Sequence, residues 1–305
     1  MKKHRFENVK ALTFASIMSA ISIVLILFSH FVGDIGILLM LFLPLCAALV
    51  SVCVDFKYSL IYVVSTFLIS CIDFQLALFI VIPSLIAGYI YGKLINVYVQ
   101  GHYIILINSL ILLILQFFAT YLINFIYQID FVYTLAQIIR ISESTFKDSY
   151  LLFLFLIALI QCSLSYTIIT SEFKKFDIEF NEKKNKFTLN ITLEGCLILF
   201  SGLFMFVYAP IGYLLLGVSI YMGIVVAYYN FSYYKRKIIV PLQLILYFIS
   251  LVLMLVLLSY VKVIYQPYLI LIPLISQLGV SSFIIFYQKV IKKSKITPCL
   301  FDKLD

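Results

Sequence analysis

Apolar runs separated by short polar or charged stretches make up almost the whole chain. All but one of the ten runs are at least 18 residues long, close to the ~20 residues that cross a hydrocarbon core as a helix. They cover residues 11–32, 35–54, 58–72, 74–91, 103–127, 149–170, 191–209, 211–232, 238–261 and 266–288. The pattern predicts an all-α fold, a polytopic bundle of about ten transmembrane helices in a lipid bilayer.

Two pairs of runs leave the number of spans open. The 58–72 run has 15 residues, about 22 Å as a helix at ~1.5 Å per residue, so 58–91 can be read as a re-entrant hairpin. The 191–232 stretch is divided only by Ala209, Pro210 and Gly212. Each of the two stretches, 58–91 and 191–232, begins and ends on the same side of the membrane whether or not it spans the bilayer. The expected number of transmembrane spans is therefore even and lies between eight and ten.

The Lys and Arg residues are distributed by membrane side. With the N-terminus inside, nineteen of the 22 fall in segments on the inner side, and only Arg140, Lys147 and Lys262 lie outside. The positive-inside rule then predicts a multi-pass protein of the cell membrane with both termini in the cytoplasm. This distribution also accounts for the net charge of +8 without a nucleic-acid partner.

Composition narrows the functional classes. The chain is 64% hydrophobic and 12% charged, with a mean hydropathy of +1.12, which excludes a soluble enzyme and a secreted disulfide scaffold. Six cysteines and three histidines show no metal-ligand or catalytic spacing, and GxxxxGK[ST] does not occur. We therefore predict no enzymatic activity, no catalytic residue, no metal and no cofactor.

One long charged stretch separates two membrane modules. Residues 171–190 contain five Lys and four acidic residues and are predicted to form a cytoplasmic linker loop, with docking to a cytoplasmic partner as the alternative. The predicted organisation is a six-helix module over 1–170 and a four-helix module with a basic cytoplasmic tail over 191–305.

Small residues recur at helical spacing in two places. Such rows allow helices to approach closely in lipid, and they predict contact with a helix of a partner chain; packing within the chain is the alternative. The residues are Ala11, Ala15 and Ser19 in the first run and Ala87, Gly88 and Gly92 in the fourth.

Polar residues cluster near the predicted outer ends of the first module. Such groups come from three separate loop regions, so they can converge on one polar ligand; the alternative is that each is a solvated loop residue. The candidates are His30, Asp34, Asp73, Gln75, Asn124, Gln128, Asp130 and Arg140. Residues 131–148 are predicted to form an amphipathic surface helix, either a connector or a lid over this site.

Few polar residues lie deeper in the apolar runs. The five amides Asn108, Gln116, Gln161, Gln243 and Gln277 are predicted to form hydrogen bonds between helices. Glu194 is placed near the start of a helix, where the positive end of the helix dipole favours a carboxylate; a proton relay is the alternative.

The first module resembles the S-components of energy-coupling-factor (ECF) vitamin transporters. The resemblance, over about residues 8–170, is carried by ALTFASIMSAISIVL after a short basic N-terminus, by a Pro-containing second helix ending at Asp55, and by PSLIAGYIYGKLI. It is closest to a related, poorly characterised family of longer bacterial membrane proteins. The four-helix extension departs from ordinary S-components.

The resemblance implies a six-helix subunit that captures a substrate. It also implies that Ala11, Ala15 and Ser19 contact a transmembrane coupling subunit driven by two ATPases in trans. We therefore expect a membrane-embedded binding or transport subunit that captures a small, polar, vitamin-like metabolite from the outer side. The alternative is a non-transporting scaffold that recruits partners through its first helix and cytoplasmic loop.

Overall fold

The computed structural model describes residues 8–32, 39–97, 99–175, 187–233, 239–258, 260 and 266–293. Within these ranges every regular element is a helix and none is a strand. The chain divides into two compact units, Met1–Lys184 and Asn185–Asp305, which we call unit 1 and unit 2.

Unit 1 contains seven described helices. They are α1 (Asn8–Val32), α2 (Leu43–Cys53), α3 (Phe56–Ser70), α4 (Ile82–Asn96), α5 (Gly101–Tyr127), α6 (Phe131–Ile139) and α7 (Glu143–Lys175). A 3₁₀ turn, Met40–Phe42, leads into α2. One turn of α-helix, Phe74–Leu76, and a π-helical turn, Ala77–Val81, lead into α4.

Proline marks where two of these helices begin. Pro44 and Pro83 occupy the first turns of α2 and α4, where a missing N–H costs no hydrogen bond within the helix. The wider turn Ala77–Val81 directly precedes Pro83, which cannot donate an N–H to the turn before it.

The core of unit 1 consists of pairs of packed helices. α1 packs on α3 and α2, α2 packs closely on α4, and α5 packs on α7 and α4. The largest fully buried side chains of this unit include Tyr62 on α3, Tyr91 on α4 and Phe155 on α7.

Unit 2 contains four long described helices. They are α8 (Phe187–Val207), α9 (Ala209–Tyr233), α10 (Ile239–Leu258) and α11 (Leu271–Lys293), with a short turn, Gln266–Leu269, before α11. α8 and α9 form an antiparallel hairpin, and α11 packs against α8, α9 and α10. Ile198, Leu216 and Leu274 form a buried apolar cluster in this unit.

Six of the described helices are long and apolar enough to cross a membrane. They are Asn8–Val32, Phe74–Ile95, Gly101–Tyr127, Glu143–Lys175, Thr188–Val207 and Ala209–Tyr229. The described part of the chain is therefore all-helical, and the length and composition of its helices are those of a multi-pass membrane protein. Four further apolar helices are shorter: Met40–Cys53, Phe56–Ser70, Ile245–Leu258 and Leu271–Phe283.

Several predicted boundaries are corrected. In the second run Leu39 is helical, a 3₁₀ turn follows over Met40–Phe42, and α2 begins at Leu43. Residues 33–38 lie outside the described ranges, so a helix beginning at residue 35 stays a prediction. Both ends of the predicted 171–190 loop are helical, because α7 continues to Lys175 and α8 already begins at Phe187. Charge marks the solvated part of a helix end but does not stop the helix.

Candidate functional site

Two predicted site residues, His30 and Asp73, meet at one end of unit 1. His30 lies in the last turn of α1, and Asp73 lies in the turn after α3. Their closest atoms, His30 Nδ1 and Asp73 Oδ2, are 3.6 Å apart, a charge-pair distance too long for a direct hydrogen bond. The side chains are 45% and 37% exposed, so both remain accessible to a solute.

The Asp73 carboxylate is held in place by the backbone. Its Oδ1 accepts a hydrogen bond of 3.1 Å from the Leu76 N–H, capping the helical turn that follows. The other oxygen, Oδ2, is the one nearer His30. One carboxylate oxygen of Asp73 therefore caps the helical turn, and the other is available to a ligand.

A small cleft lies beside this pair. Apolar side chains form most of its wall, and its volume is about 10 Å³, room for about one water molecule. Organic ligands occupy pockets of roughly 300–1,000 Å³, so the cleft must open to hold more than one polar group. Its lining residues besides the pair are Ile26, Leu27, Ile69, Ser70, Ile72 and Leu76.

The third predicted loop region is organised by hydrogen bonds to its own backbone. Asn124 Oδ1 accepts from the Phe131 N–H and Asp130 Oδ1 from the Tyr133 N–H, each at 3.0 Å. Gln128 and Arg140 both have left-handed backbones, with φ of 52° and 61°, and they end α5 and α6. These positions shape the connection between helices, and nothing brings their side chains to the His30–Asp73 pair.

One aromatic contact joins this third region to the segment after Asp73. The rings of Phe79, in the π-helical turn, and Phe131, the first residue of α6, stack with centroids 5.2 Å apart.

Of the remaining candidates, Gln75 is exposed, and Asp34 lies outside the described residues. The structure therefore brings together two of the eight predicted residues.

The predicted surface helix over 131–148 is wrong as one element. α6 ends at Ile139, Arg140 caps it with a left-handed backbone, and residues 143–148 form the start of α7. There the Lys147 Nζ lies 2.5 Å from Glu143 Oε1, an exposed pair one turn apart. Helical spacing of polar residues continues across this break and conceals it in the sequence.

The small-residue row of α1 packs inside the chain, which corrects its assignment to a partner helix. Ala11 and Ala15 are 1% exposed, and α1 packs on α3 and α2 of the same unit. Ser19 Oγ lies 2.7 Å from Ser65 Oγ and 3.3 Å from Thr66 Oγ1. The row is covered, so it presents no open surface to another chain.

The second row, on α4, is covered in the same way. A Cβ added at Gly88 would collide with the Pro44 carbonyl oxygen, and one added at Gly92 would collide with Ser51 Oγ. Ala87 is 2% exposed. The close approach expected from this row is real, but its partner is α2 of the same unit.

A buried stripe of hydroxyls on α3 was missed. Ser59, Tyr62, Thr66 and Ser70 recur every three or four residues, and each is at most 2% exposed. Their spacing puts them on one face of an otherwise apolar helix. In lipid such a face turns inward, so the periodicity of polar residues was the available signal.

Comparison with known proteins adds no relative. The chain matches no protein-family model, no curated protein sequence and no solved structure.

Among the described residues, no three His, Cys, Asp or Glu side chains are grouped so that they could hold a metal ion.

Proposed function

We propose that the protein is a membrane-embedded binding subunit that captures a small polar solute from the outer side of the cell membrane. The observation that carries the proposal is the pairing of His30 and Asp73, two residues 43 positions apart in the chain whose side chains approach to 3.6 Å beside a cleft. The ring N–H of an imidazole and the oxygens of a carboxylate together offer both a donor and an acceptor to one ligand.

The proposed topology has ten spans and both termini in the cytoplasm. Six long apolar helices support most of it. α2 and α3 have 11 and 15 residues, about 16 and 22 Å at ~1.5 Å per residue, shorter than the ~30 Å hydrocarbon core. Because they are consecutive and joined at Val54 and Asp55, a shallow pair leaves the sidedness of His30 and Asp73 unchanged.

Capture in this proposal requires the cleft to widen. The volume of about 10 Å³ holds one polar group of a ligand, and the rest must displace the apolar side chains around it. The element proposed to move is the α6 helix, whose Phe131 stacks on Phe79 in the π-helical turn that follows Asp73. Energy for release would come from a coupling subunit and ATPases in trans.

The scaffold alternative is less well supported. It relied on an open small-residue face on α1, and that face is buried against α3. The other element it invoked, the 171–190 loop, lies largely outside the described residues.

Mass spectrometry of small molecules released from the purified full chain tests the proposal. The parent should release a polar compound that is depleted in His30→Ala and in Asp73→Asn. Asparagine is itself a good capping residue, so Asp73→Asn preserves the cap on Leu76 while removing the charge. Lys147→Ala, which breaks an exposed ion pair elsewhere, should release as much compound as the parent. Equal recovery from all four proteins would contradict the proposal.

A further inference from the structure

The side chain of Glu194 is fully buried within unit 2. Glu194 is 0% exposed, and neither carboxylate oxygen has a hydrogen-bond partner among the described residues. It is also the only Asp, Glu, Lys, Arg or His among the described side chains of this unit. An uncompensated carboxylate in an apolar interior is very costly, so its charge must be neutralised by something other than these side chains.

The neighbouring groups leave the carboxylate without a donor. Gln277 on α11 uses its Nε2 to donate to the carbonyl of Gly223 on α9. A Cβ added at Gly223 would lie 3.1 Å from Glu194 Oε1 and 3.5 Å from Gln277 Nε2. Glycine at this position therefore makes the room that the carboxylate occupies, and the described hydrogen bond of Gln277 Nε2 goes to the Gly223 carbonyl and not to the carboxylate.

Three helices contribute polar positions to the surroundings of Glu194. Asn190 precedes Glu194 by one turn on α8, Ser219 precedes Gly223 on α9, and Ser281 follows Gln277 on α11, so each pair shares a helix face. Asn190, Ser219 and Ser281 are 0% exposed. Oxygen-bearing side chains thus accompany the carboxylate on all three helices.

The position of Glu194 along α8 places it near one end of the membrane module. It lies seven residues after Phe187, the first residue of the helix, which is about 10 Å along the axis. The helix dipole acts within the first turn, so it cannot supply the missing compensation, contrary to the expectation from sequence. Asn190 lies between Glu194 and this end.

We propose that Glu194 is the binding group of a site for a small monovalent cation, H⁺ or Na⁺, in unit 2. A proton on the carboxyl, or a sodium ion held by carboxylate, amide and hydroxyl oxygens, would neutralise the charge. Leu274 Cδ2 lies 3.3 Å from the position of a Gly223 Cβ, so an apolar wall closes the space against an organic cation. Occupancy of this site would change the charge in the interior of unit 2 by one.

Among the described side chains, no ionisable group on the adjoining helices supplies the countercharge. The described titratable side chains of α9 are Tyr213, Tyr221, Tyr228 and Tyr229, and the turn before α11 adds Tyr268. α10 adds Tyr247, and α8 itself adds the exposed Cys196. Tyrosine and cysteine are uncharged or anionic, never cationic, so none of them can pair with a carboxylate as a cation.

Thermal unfolding of the purified full chain in detergent tests the site. The parent should lose stability as pH rises from about 5 to about 9, a range that covers exposed and fully buried carboxyls. The sign follows because the folded state retains a proton that an exposed carboxyl in the unfolded chain releases, and stability falls with pH when the folded state binds more protons. Glu194→Gln, which is neutral at every pH, should lack this component of the pH dependence.

The effect of sodium on thermal stability distinguishes the two candidate cations, H⁺ and Na⁺. If Na⁺ binds, NaCl should restore the Tm of the parent at high pH more than choline chloride does, because a ligand of the folded state raises stability. If only H⁺ binds, the two salts should act alike while the pH response of the parent still exceeds that of Glu194→Gln. The same pH and salt response in both proteins overturns the proposal.

A chemical measurement covers the case in which Glu194→Gln fails to fold. Dicyclohexylcarbodiimide, an apolar reagent, modifies protonated carboxyls in membrane interiors. Peptide mass spectrometry of the parent should locate the adduct on Glu194 and show less of it as pH rises. Labelling that is absent or independent of pH contradicts the site. Gly195→Ala, whose added methyl meets only Leu278 at 3.6 Å, should label like the parent.

Discussion

Side-chain hydroxyls form the hydrogen-bonded contact between α1 and α3. Ser22 Oγ and Tyr62 Oη are 2.9 Å apart, and Ser19 reaches Ser65 and Thr66 one turn away. Ser22 is 0% and Tyr62 1% exposed, so neither has water as a substitute partner. The hydrogen bonds between the two helices form only while the helices stay in this register.

Tyr62→Phe should destabilise unit 1. Removing the phenol hydroxyl takes away the hydrogen bond between Ser22 and Tyr62, at a cost of about 1–3 kcal/mol by soluble-protein measurements and about 0.6 kcal/mol by averages within membranes. Thermal unfolding in detergent measures the change, and a cycle with Ser22→Ala isolates the coupling. Tyr121→Phe, at a 68% exposed position, is the control. Additive effects of Tyr62→Phe and Ser22→Ala would mean that the hydrogen bond contributes nothing.

Close helix contacts in unit 1 depend on small residues, Gly, Ala and Ser. α2 and α4 pack around Gly88 and Gly92, where any Cβ would meet backbone or side-chain atoms of α2. α1 approaches α3 through Ala11, Ala15 and Ser19. Association of helices in lipid relies on such packing because the hydrophobic effect provides little drive there.

Gly92→Ala should weaken the α2–α4 contact. The new methyl would collide with Ser51 Oγ and lie 2.7 Å from the Ala48 carbonyl oxygen, and overpacking costs about 1–3 kcal/mol. Gly279→Ala is a matched helical control, because a Cβ there meets nothing within 4 Å, and alanine favours a helix by about 1 kcal/mol. The Tm should fall for the first variant and hold or rise for the second. A fall of the same size in both would refute the contact.

Ala15→Leu tests the corrected role of the α1 row. Leucine at this 1% exposed position should lower the Tm of the isolated chain, since its bulk must separate α1 from α3. Ala20→Leu, on the exposed face of the same helix, should change the Tm little. If Ala15→Leu leaves the purified chain as stable as the parent, the row does not pack as described.

Sequence periodicity locates the helices well but not their ends. The ten apolar runs correspond to the ten helices of the two units other than α6, because apolar length and turn residues are local properties. The break at Arg140 depends on a left-handed backbone at a residue that does not require it. The 3₁₀ turn Met40–Phe42 interrupts the second apolar run before α2 begins at Leu43, with Pro44 in its first turn. The periodicity of apolar residues does not contain these backbone features.

At the scale of the whole molecule, the distribution of Lys and Arg predicts which side each end faces. Exposed positions in the described part of unit 1 can report on it: Gln75 near the His30–Asp73 pair, and Lys175 at the far end of α7. Lys262, predicted to lie outside the cell, and Lys184, within the predicted 171–190 cytoplasmic loop, are not among the described residues.

Labelling with an impermeant maleimide in intact cells tests the topology. All six native cysteines should first be replaced by Ser, since Cys71 and Cys196 are exposed. Gln75→Cys and Lys262→Cys should then label from outside, while Lys175→Cys and Lys184→Cys should label only after permeabilisation. Labelling of Lys175→Cys in intact cells would reverse the orientation.

The candidate site was only partly predictable from sequence. His30 and Asp73 follow apolar runs that end on the same side, so their side could be predicted, but their pairing requires the packing of α1 on α3. Asn124 and Asp130 have the same polar character in the sequence, yet their side chains accept hydrogen bonds from nearby backbone. A sequence does not distinguish a polar side chain that caps a turn from one that faces a ligand.

The most direct measurement of the central claim is the equilibrium dissociation constant of the released compound for the parent and for Asp73→Asn. Removing the Asp73 charge should leave a ligand group or His30 unpaired, at about 1–3 kcal/mol, which weakens binding roughly 5- to 150-fold. Because the cap on Leu76 is preserved, the Tm should change little. Equal dissociation constants for the two proteins would contradict solute capture by the His30–Asp73 pair.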